Sequence, residues 1–163
     1  MDLTQFLELF NPLPGNRYLE VATKTDEITK ALYELTSSVD GELNLAIYNQ
    51  DDIDETLKFP NANIQYIKNL KQPFRALPRD NDIVIFKDIF HLHLNPKIIL
   101  NIAYKTLANA ANIIIIQKNG LMNVEVIKKM LEEHEFRASN EINILEGYDL
   151  VMAKKMHMWG NGL

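Results

Sequence analysis

The stretch from Arg17 to Leu35 constrains the fold of this chain more than any other. It opens with an apolar run that ends at Ala22, passes through a short turn at 23–25, and continues with apolar residues at helical spacing. The residues of that helix face are Ile28, Ala31, Leu32 and Leu35. A strand, a turn and an amphipathic helix form the first unit of an α/β sheet. Ligands of doubly wound sheets bind beyond the carboxyl ends of the strands, so this turn is where a cofactor would be held.

The rest of the chain repeats this alternation. Apolar or alternating runs predict strands over 43–48, 63–67, 83–86, 112–117, 136–145 and 148–156. Helical spacing predicts helices over 2–10, 50–57, 98–107 and 122–133. The segment 68–80 contains Pro73 and Pro78, has no periodicity and is predicted to be a loop. Only the turn Glu146-Gly147 separates the last two strands, which predicts an antiparallel hairpin.

Composition places the chain among ordinary globular proteins. Its 163 residues fit one domain, and 47% of them are hydrophobic while 24% are charged. The longest apolar run, Ile113 to Ile116, is too short to span a bilayer, and the first residues lack the features of a signal peptide. We therefore expect a cytoplasmic protein. The absence of cysteine excludes disulfides and thiolate metal sites.

The pattern resembles the class I S-adenosylmethionine (SAM)-dependent methyltransferase superfamily. The resemblance covers nearly the whole chain from Arg17 to Trp159, and three stretches carry it: 17–21, 81–92 and the terminal hairpin that ends at Lys154. It implies an α/β, Rossmann-like, doubly wound sheet of seven strands in the order 3-2-1-4-5-7-6, with strand 7 antiparallel. It also implies a single methyltransferase-like domain over 1–163, with a short N-terminal helix over 2–10.

The cofactor motif that the resemblance implies is degenerate in this sequence. In the family, strand one ends in an acidic residue followed by Gly-x-Gly-x-Gly; Glu20 fits, but other residues occupy all three glycine positions. An acidic residue is also usual after strands two and three, where this chain has amides. The residues assigned to this site are Glu20, Ala22, Thr23, Lys24, Asn49, Asn69 and Lys87. A side chain in left-handed geometry costs about 1–2 kcal/mol, so we expect SAM binding to be weak or lost.

The turn after strand one is also predicted to cap the helix that follows it. Thr23 and Asp26 have the spacing of a capping box, in which Thr23 would accept from the backbone amide of Asp26. Such a cap would satisfy the helix amides from within the chain. Lys24 would in addition present a like charge to the sulfonium of SAM.

Candidate chemical residues follow strand four. Asp88 and His91 stand in the position that the family uses on its substrate side, and either could act as a general base if the acceptor must lose a proton. The ordinary alternative is that both are polar loop residues without a role. No third ligand stands at metal-binding spacing near them, so no metal is expected.

Partners are only weakly indicated. The net charge of −5 and the scattered basic residues disfavour nucleic acid, and no membrane association is expected. Apolar residues near the two termini could form a surface for a protein partner or a homodimer, or could simply pack together. These residues are Phe6, Phe10, Met156, Met158 and Trp159.

Two functional hypotheses follow. The first is a methyltransferase-like domain with a degenerate SAM site that serves as a non-catalytic binding or regulatory module. The alternative is an active SAM-dependent methyltransferase with an atypical cofactor loop that acts on a small molecule. The sequence leaves the acceptor substrate, the partner and the oligomeric state open.

Overall fold

A seven-stranded sheet forms the centre of the protein in a computed structural model, which describes residues 1–48 and 58–156. The strands are β1 (Arg17–Ala22), β2 (Glu42–Ile47), β3 (Asn63–Tyr66), β4 (Asn81–Lys87), β5 (Leu107–Lys118), β6 (Phe136–Glu141) and β7 (Tyr148–Lys155). The helices within these ranges are α1 (Thr4–Leu7), α2 (Glu27–Ser37), α3 (Pro96–Thr106) and α4 (Val124–Glu133).

The strand order is β3-β2-β1-β4-β5-β7-β6. The first five strands are parallel, and β7 runs antiparallel to both β5 and β6. The predicted order and the antiparallel seventh strand are therefore confirmed. The segment 68–80 contains no helix or strand, as its two prolines predict.

Both faces of the sheet are covered, which explains the continuous apolar run of β4. Successive side chains of a strand point to opposite faces. Val84 and Phe86 belong to the core cluster that includes residues of α3 and α4, whereas Ile83 and Ile85 belong to the cluster that includes residues of α1 and α2. Within the sheet, the parallel pairing of β4 with β1 and with β5 places the carboxyl ends of these three strands side by side.

Several predicted boundaries differ from the structure. The helix predicted over 2–10 is only the short α1. Phe6 packs against Phe10 and Phe10 against Tyr18, so both rings are buried without a continuous helix. Their burial also removes them from any exposed apolar patch. Met156 is half-buried, whereas Met158 and Trp159 lie outside the described residues, as does the helix predicted over 50–57.

The last third of the chain shows two further differences. β5 starts directly after α3, earlier than the apolar run predicts, and its ladder with β4 is irregular between Asn81 and Ile83. β6 ends at Glu141, so the connection to β7 is longer than the predicted two-residue turn. Leu145 lies in that connection and is buried. Its apolar side chain therefore packs in the core although the residue is not part of a strand.

Within the described ranges, no helix is both long enough and apolar enough to cross a membrane.

Candidate functional site

A buried lysine lies at the carboxyl end of β4. Only 1% of Lys87 is exposed, and its Nζ is 2.8 Å from Oε2 of Glu20 and 2.8 Å from Oδ1 of Asp26. The same Nζ donates to Oγ1 of Thr29 at 2.9 Å. Glu20 is fully buried on β1, the strand that pairs with β4. The end of the two strands is therefore occupied by an internal ion-pair cluster.

The electrostatics of this cluster keep the lysine charged. Burial by itself lowers the pKa of Lys87, but the carboxylates of Glu20 and Asp26 outweigh burial, and the net effect raises the pKa above its usual 10.5. Lys87 is thus an ammonium group at every physiological pH. Such pairs persist in a buried site only when the charges are close and further hydrogen bonds satisfy them.

The cap of α2 belongs to the same cluster. The Asp26 side chain accepts from the backbone amides of Ile28 and Thr29 at 2.9 and 3.3 Å, and the Asp26 amide donates to Oγ1 of Thr29 at 3.1 Å. This is a capping box, but it lies three residues beyond the predicted one, so the prediction for Thr23 was wrong. Asp26 is the cap because its carboxylate can bind the helix amides and the Lys87 ammonium together.

The Thr29 hydroxyl links the cap to β1. It donates to Oε2 of Glu20 at 2.7 Å while accepting from Lys87 and from the Asp26 amide. Sequence reasoning missed Thr29, although its position three residues after an aspartate is the spacing of a capping box.

The other residues assigned to the cofactor site lie in different surroundings. Ala22 is fully buried at the end of β1, Thr23 is half-buried and Lys24 is exposed. Asn69 is exposed, and its side-chain oxygen accepts from the backbone amide two residues further on at 2.8 Å. Asn49 lies outside the described residues. Of the residues assigned to the cofactor site, Glu20 and Lys87 are therefore the two that belong to the ion-pair cluster.

The loop 68–80 is held down by a shared carbonyl. Tyr48 directly follows β2, and its hydroxyl donates to the Gln72 carbonyl at 2.6 Å. Nε2 of His93 lies 3.0 Å from the same oxygen. Because a carbonyl only accepts, this Nε2 carries a proton, while Nδ1 of His93 accepts from the Asn95 amide at 2.9 Å. Burial raises the pKa of Tyr48. Nε2 of His93 thus fixes the loop, while its Nδ1 bonds the segment just before α3.

Asp88 directly follows β4 and is hydrogen-bonded to the end of β5. Its backbone is left-handed (φ 51°), its amide donates to the Ile116 carbonyl at 2.8 Å, and its Oδ1 accepts from the Lys118 amide at 2.9 Å. The residue also lines a cavity of about 180 Å³ together with Tyr148 and Asp26. Burial, followed by the charges of Asp88 and Asp26, raises the pKa of Tyr148.

His91 lies in the loop that follows Asp88. Its backbone amide donates to Oε1 of Gln117 at 3.1 Å, and its ring Nδ1 is 2.9 Å from the same oxygen. Gln117 was not singled out from the sequence. In the part of the chain that the structure describes, no group of three or more histidine or carboxylate side chains could hold a metal ion.

Comparison with known proteins adds to this picture at the level of the fold. No protein-family model matches the chain, and no curated protein matches it. Among solved structures it is similar to a SAM-dependent methyltransferase from Aquifex aeolicus, with 15% identity over 95% of this chain and 90% of that chain, at a TM-score of 0.78.

Two further structures are similar. One is a putative methyltransferase from Haloferax volcanii in complex with the Trm112 methyltransferase activator, with 8% identity over 94% of this chain and 88% of that chain (TM-score 0.76). The other is phosphoethanolamine N-methyltransferase 2 from Haemonchus contortus in complex with SAM, with 10% identity over 95% and 52% of the two chains (TM-score 0.72).

The protein therefore has the class I SAM-dependent methyltransferase fold. At these identities the likeness defines the architecture, and the activity has to be argued from the site.

Proposed function

We propose that this protein is a single methyltransferase-like domain whose SAM site is degenerate, and that it serves as a non-catalytic binding or regulatory module. One observation carries the proposal: the Lys87 ammonium is buried between Glu20 and Asp26 at the carboxyl ends of β1 and β4. SAM carries a positive sulfonium and an ammonium group. In this protein an internal cation already binds Oε2 of Glu20, the acidic residue near the carboxyl end of β1.

The strength of the ion pair between Glu20 and Lys87 determines how much the affinity for SAM is reduced. A ligand that recruits Glu20 has to separate it from Lys87, to which it is bonded at 2.8 Å in a fully buried site. Breaking a buried ion pair costs about 3–5 kcal/mol. At about 1.4 kcal/mol per tenfold change in affinity, this weakens a ligand by roughly a hundredfold to several-thousandfold. A site of micromolar affinity would become a millimolar one.

The turn between β1 and α2 supports the same conclusion. None of its residues is glycine, and the Asp26 side chain already binds two backbone amides at the start of α2. Those amides are the groups with which a helix N-terminus usually holds a negatively charged ligand group. Lys24 adds an exposed positive charge to the same turn.

The structural similarities support a protein partner as the route to function. The Haloferax volcanii neighbour, which shares this fold, was solved in complex with an activator protein. A module without a cofactor would act by binding another molecule, so we propose that a protein partner binds this domain. Asp88 and His91 are the chemical residues of the alternative, in which the domain is an active enzyme.

The test is calorimetric titration of the full chain with SAM and with S-adenosylhomocysteine. We expect no binding of either ligand at millimolar concentration. Micromolar binding would refute the proposal and would direct the search to methyl acceptors near Asp88 and His91.

A variant tests the role of the lysine itself. Lys87→Ala frees Glu20, so we expect it to bind SAM at least about tenfold more tightly than the wild type if it remains folded, as circular dichroism would show. Lys118→Ala is the matched control, because it removes an exposed lysine that lines the cavity beside Asp26 and Asp88 without freeing a buried carboxylate. Equal behaviour of the two variants would show that Lys87 is not the obstacle.

A further inference from the structure

A cavity of about 330 Å³ lies where the loop 68–80 runs beside the first three strands of the sheet. The strand residues that line it include one row across the sheet, in which Leu19 pairs with Asn44 and Asn44 pairs with Asn63. Asn81, the first residue of β4, also lines it, whereas Lys87 is the last residue of that strand. The cavity is therefore separate from the ion-pair cluster and from the carboxyl ends of the strands.

Side-chain hydrogen bonds hold the loop beside this cavity at two points. The Gln65 side chain accepts from the Arg75 backbone amide at 2.8 Å and donates to the Arg75 carbonyl at 2.7 Å. The Thr106 hydroxyl donates to the Leu77 carbonyl at 2.7 Å. The backbone is thus fixed on both sides of Ala76, so the cavity is preformed and a ligand does not have to order the loop.

The amides that line the cavity form a chain of hydrogen bonds in one direction. Nδ2 of Asn63 donates to Oδ1 of Asn44 at 3.1 Å, and Nδ2 of Asn44 donates to Oδ1 of Asn81 at 2.9 Å. Nδ2 of Asn81 donates to the Thr106 hydroxyl at 2.9 Å. The Leu77 carbonyl at the end of the chain can only accept, which fixes the orientation of each amide. Nδ2 of Asn44 uses one of its two hydrogens in this chain, so the other is a donor without an acceptor among the described residues.

Arg75 supplies a positive charge to the cavity. It lines the cavity, is exposed, and forms no ion pair with any carboxylate in the ranges 1–48 and 58–156. The nearby carboxylates of Glu42 and Asp80 both bind the guanidinium of Arg17, at 3.3 and 3.2 Å. Because these two carboxylates share one cation, they would repel a dianion such as phosphate, and a monoanion is the better match for Arg75.

The remaining wall of the cavity is apolar. Leu19 is buried, Ala76 packs against the core, and Leu77 is 69% exposed beside them. A preformed cavity of this size, with apolar walls and a few placed polar groups, is typical of a small-molecule site.

We infer that this cavity binds a small carboxylate with an apolar body. The carboxylate binds the Arg75 guanidinium, with which it can form two parallel hydrogen bonds, and accepts the free amide hydrogen of Asn44. The apolar body packs against Leu77 and Ala76. The inference goes beyond the proposed function and is independent of SAM binding, because no residue of the Lys87 cluster lines this cavity.

Binding is tested by ¹H–¹⁵N NMR titration of the full chain with benzoate at constant ionic strength, followed at the side-chain amide of Asn44. Benzamide has the same ring without the charge, and acetate has the carboxylate without the ring. We expect benzoate to shift the Asn44 signals in a saturable way, and both control ligands to bind at least about tenfold more weakly. A benzoate titration without a saturable shift at Asn44, or equal binding of either control ligand, would refute the site.

Two pairs of variants test the charge and the apolar wall separately. Arg75→Gln should weaken benzoate binding at least about tenfold, whereas Lys71→Gln, at an exposed lysine of the same loop outside the cavity, should leave it unchanged. Leu77→Ala keeps the backbone carbonyl that Thr106 binds and should weaken benzoate several-fold, whereas Leu121→Ala removes an exposed leucine elsewhere and should have no effect. All four side chains are exposed, so we expect each variant to fold. Equal losses in Arg75→Gln and Lys71→Gln, or unchanged binding in Leu77→Ala, would overturn the inference.

Discussion

Replacing Lys87 with methionine is the sharpest test of the cluster at the carboxyl end of β4. Methionine keeps an unbranched side chain in the buried space but removes the ammonium group. Glu20 then remains fully buried, and of the two groups that donate to its Oε2 among the described residues only the Thr29 hydroxyl, at 2.7 Å, is left. Its second oxygen, Oε1, has no hydrogen-bond partner within residues 1–48 and 58–156 even in the wild type, so no described group compensates for the loss.

The expected cost follows from this geometry. Removing one member of a buried ion pair destabilises a protein by about 3–5 kcal/mol. A domain of this size loses about 2–4 °C in Tm per kcal/mol, so we expect Tm to fall by roughly 6–20 °C. Urea unfolding followed by circular dichroism, combined with a thermal scan, measures both quantities.

A second variant separates the charge from the packing. Lys87→Met combined with Glu20→Leu removes both charges, and we expect it to recover most of the lost stability because no buried carboxylate is left unpaired. Lys30→Met, an exposed lysine on α2, is the control and should stay within about 0.5 kcal/mol of the wild type. A loss below about 1 kcal/mol in Lys87→Met, or a double variant as unstable as the sum of its parts, would refute the reasoning.

Three further predictions concern neighbouring groups. Asp26→Ala should cost at least about 1 kcal/mol because it removes the cap of α2, and Asp26→Asn should cost less because an amide oxygen still caps the helix. Tyr48→Phe should cost about 1 kcal/mol in urea unfolding and increase amide exchange around Gln72, whose carbonyl then loses a donor. Burial raises the pKa of Tyr18 to about 12, so stability should fall as pH rises from 10 towards 12; Tyr18→Phe should reduce that fall, and an unchanged pH profile would contradict it.

The Lys87 ion pair has a pH dependence of its own. Because the folded-state pKa of Lys87 lies above its usual 10.5, the contribution of the pair is fully present below pH 10.5 and is lost as pH rises through the raised value. Lys87→Met leaves a buried carboxylate that would itself titrate, so the comparison uses the variant that combines Lys87→Met with Glu20→Leu. The difference in unfolding free energy between the wild type and this double variant should be constant around neutral pH and decrease only in strongly alkaline solution. A difference that already shrinks between pH 7 and 9 would mean that Lys87 is not held as an ammonium group.

The order of strands and helices could be predicted from the sequence because the spacing of apolar residues within each element depends on which of its faces are buried. The run 83–86 is apolar throughout since β4 is covered on both faces, and the spacing from Ile28 to Leu35 marks a helix with one buried face. The resemblance to the methyltransferase fold then fixed the strand order, which the structure confirms. Boundaries were less well predicted, because Leu145 is buried in a connection while looking like part of a strand.

Only the tertiary structure decided what the candidate site contains. Glu20 and Lys87 are far apart in sequence, and the pairing of β1 with β4 is what brings their side chains to 2.8 Å. The cap of α2 shows the same dependence: Thr23 and Asp26 both have capping-box spacing, and the Lys87 ammonium favours the carboxylate of Asp26. The contact between Gln117 and His91 likewise joins the end of β5 to the loop that follows β4. Periodicity reports which face of an element is buried, whereas charge pairing depends on which strands become neighbours.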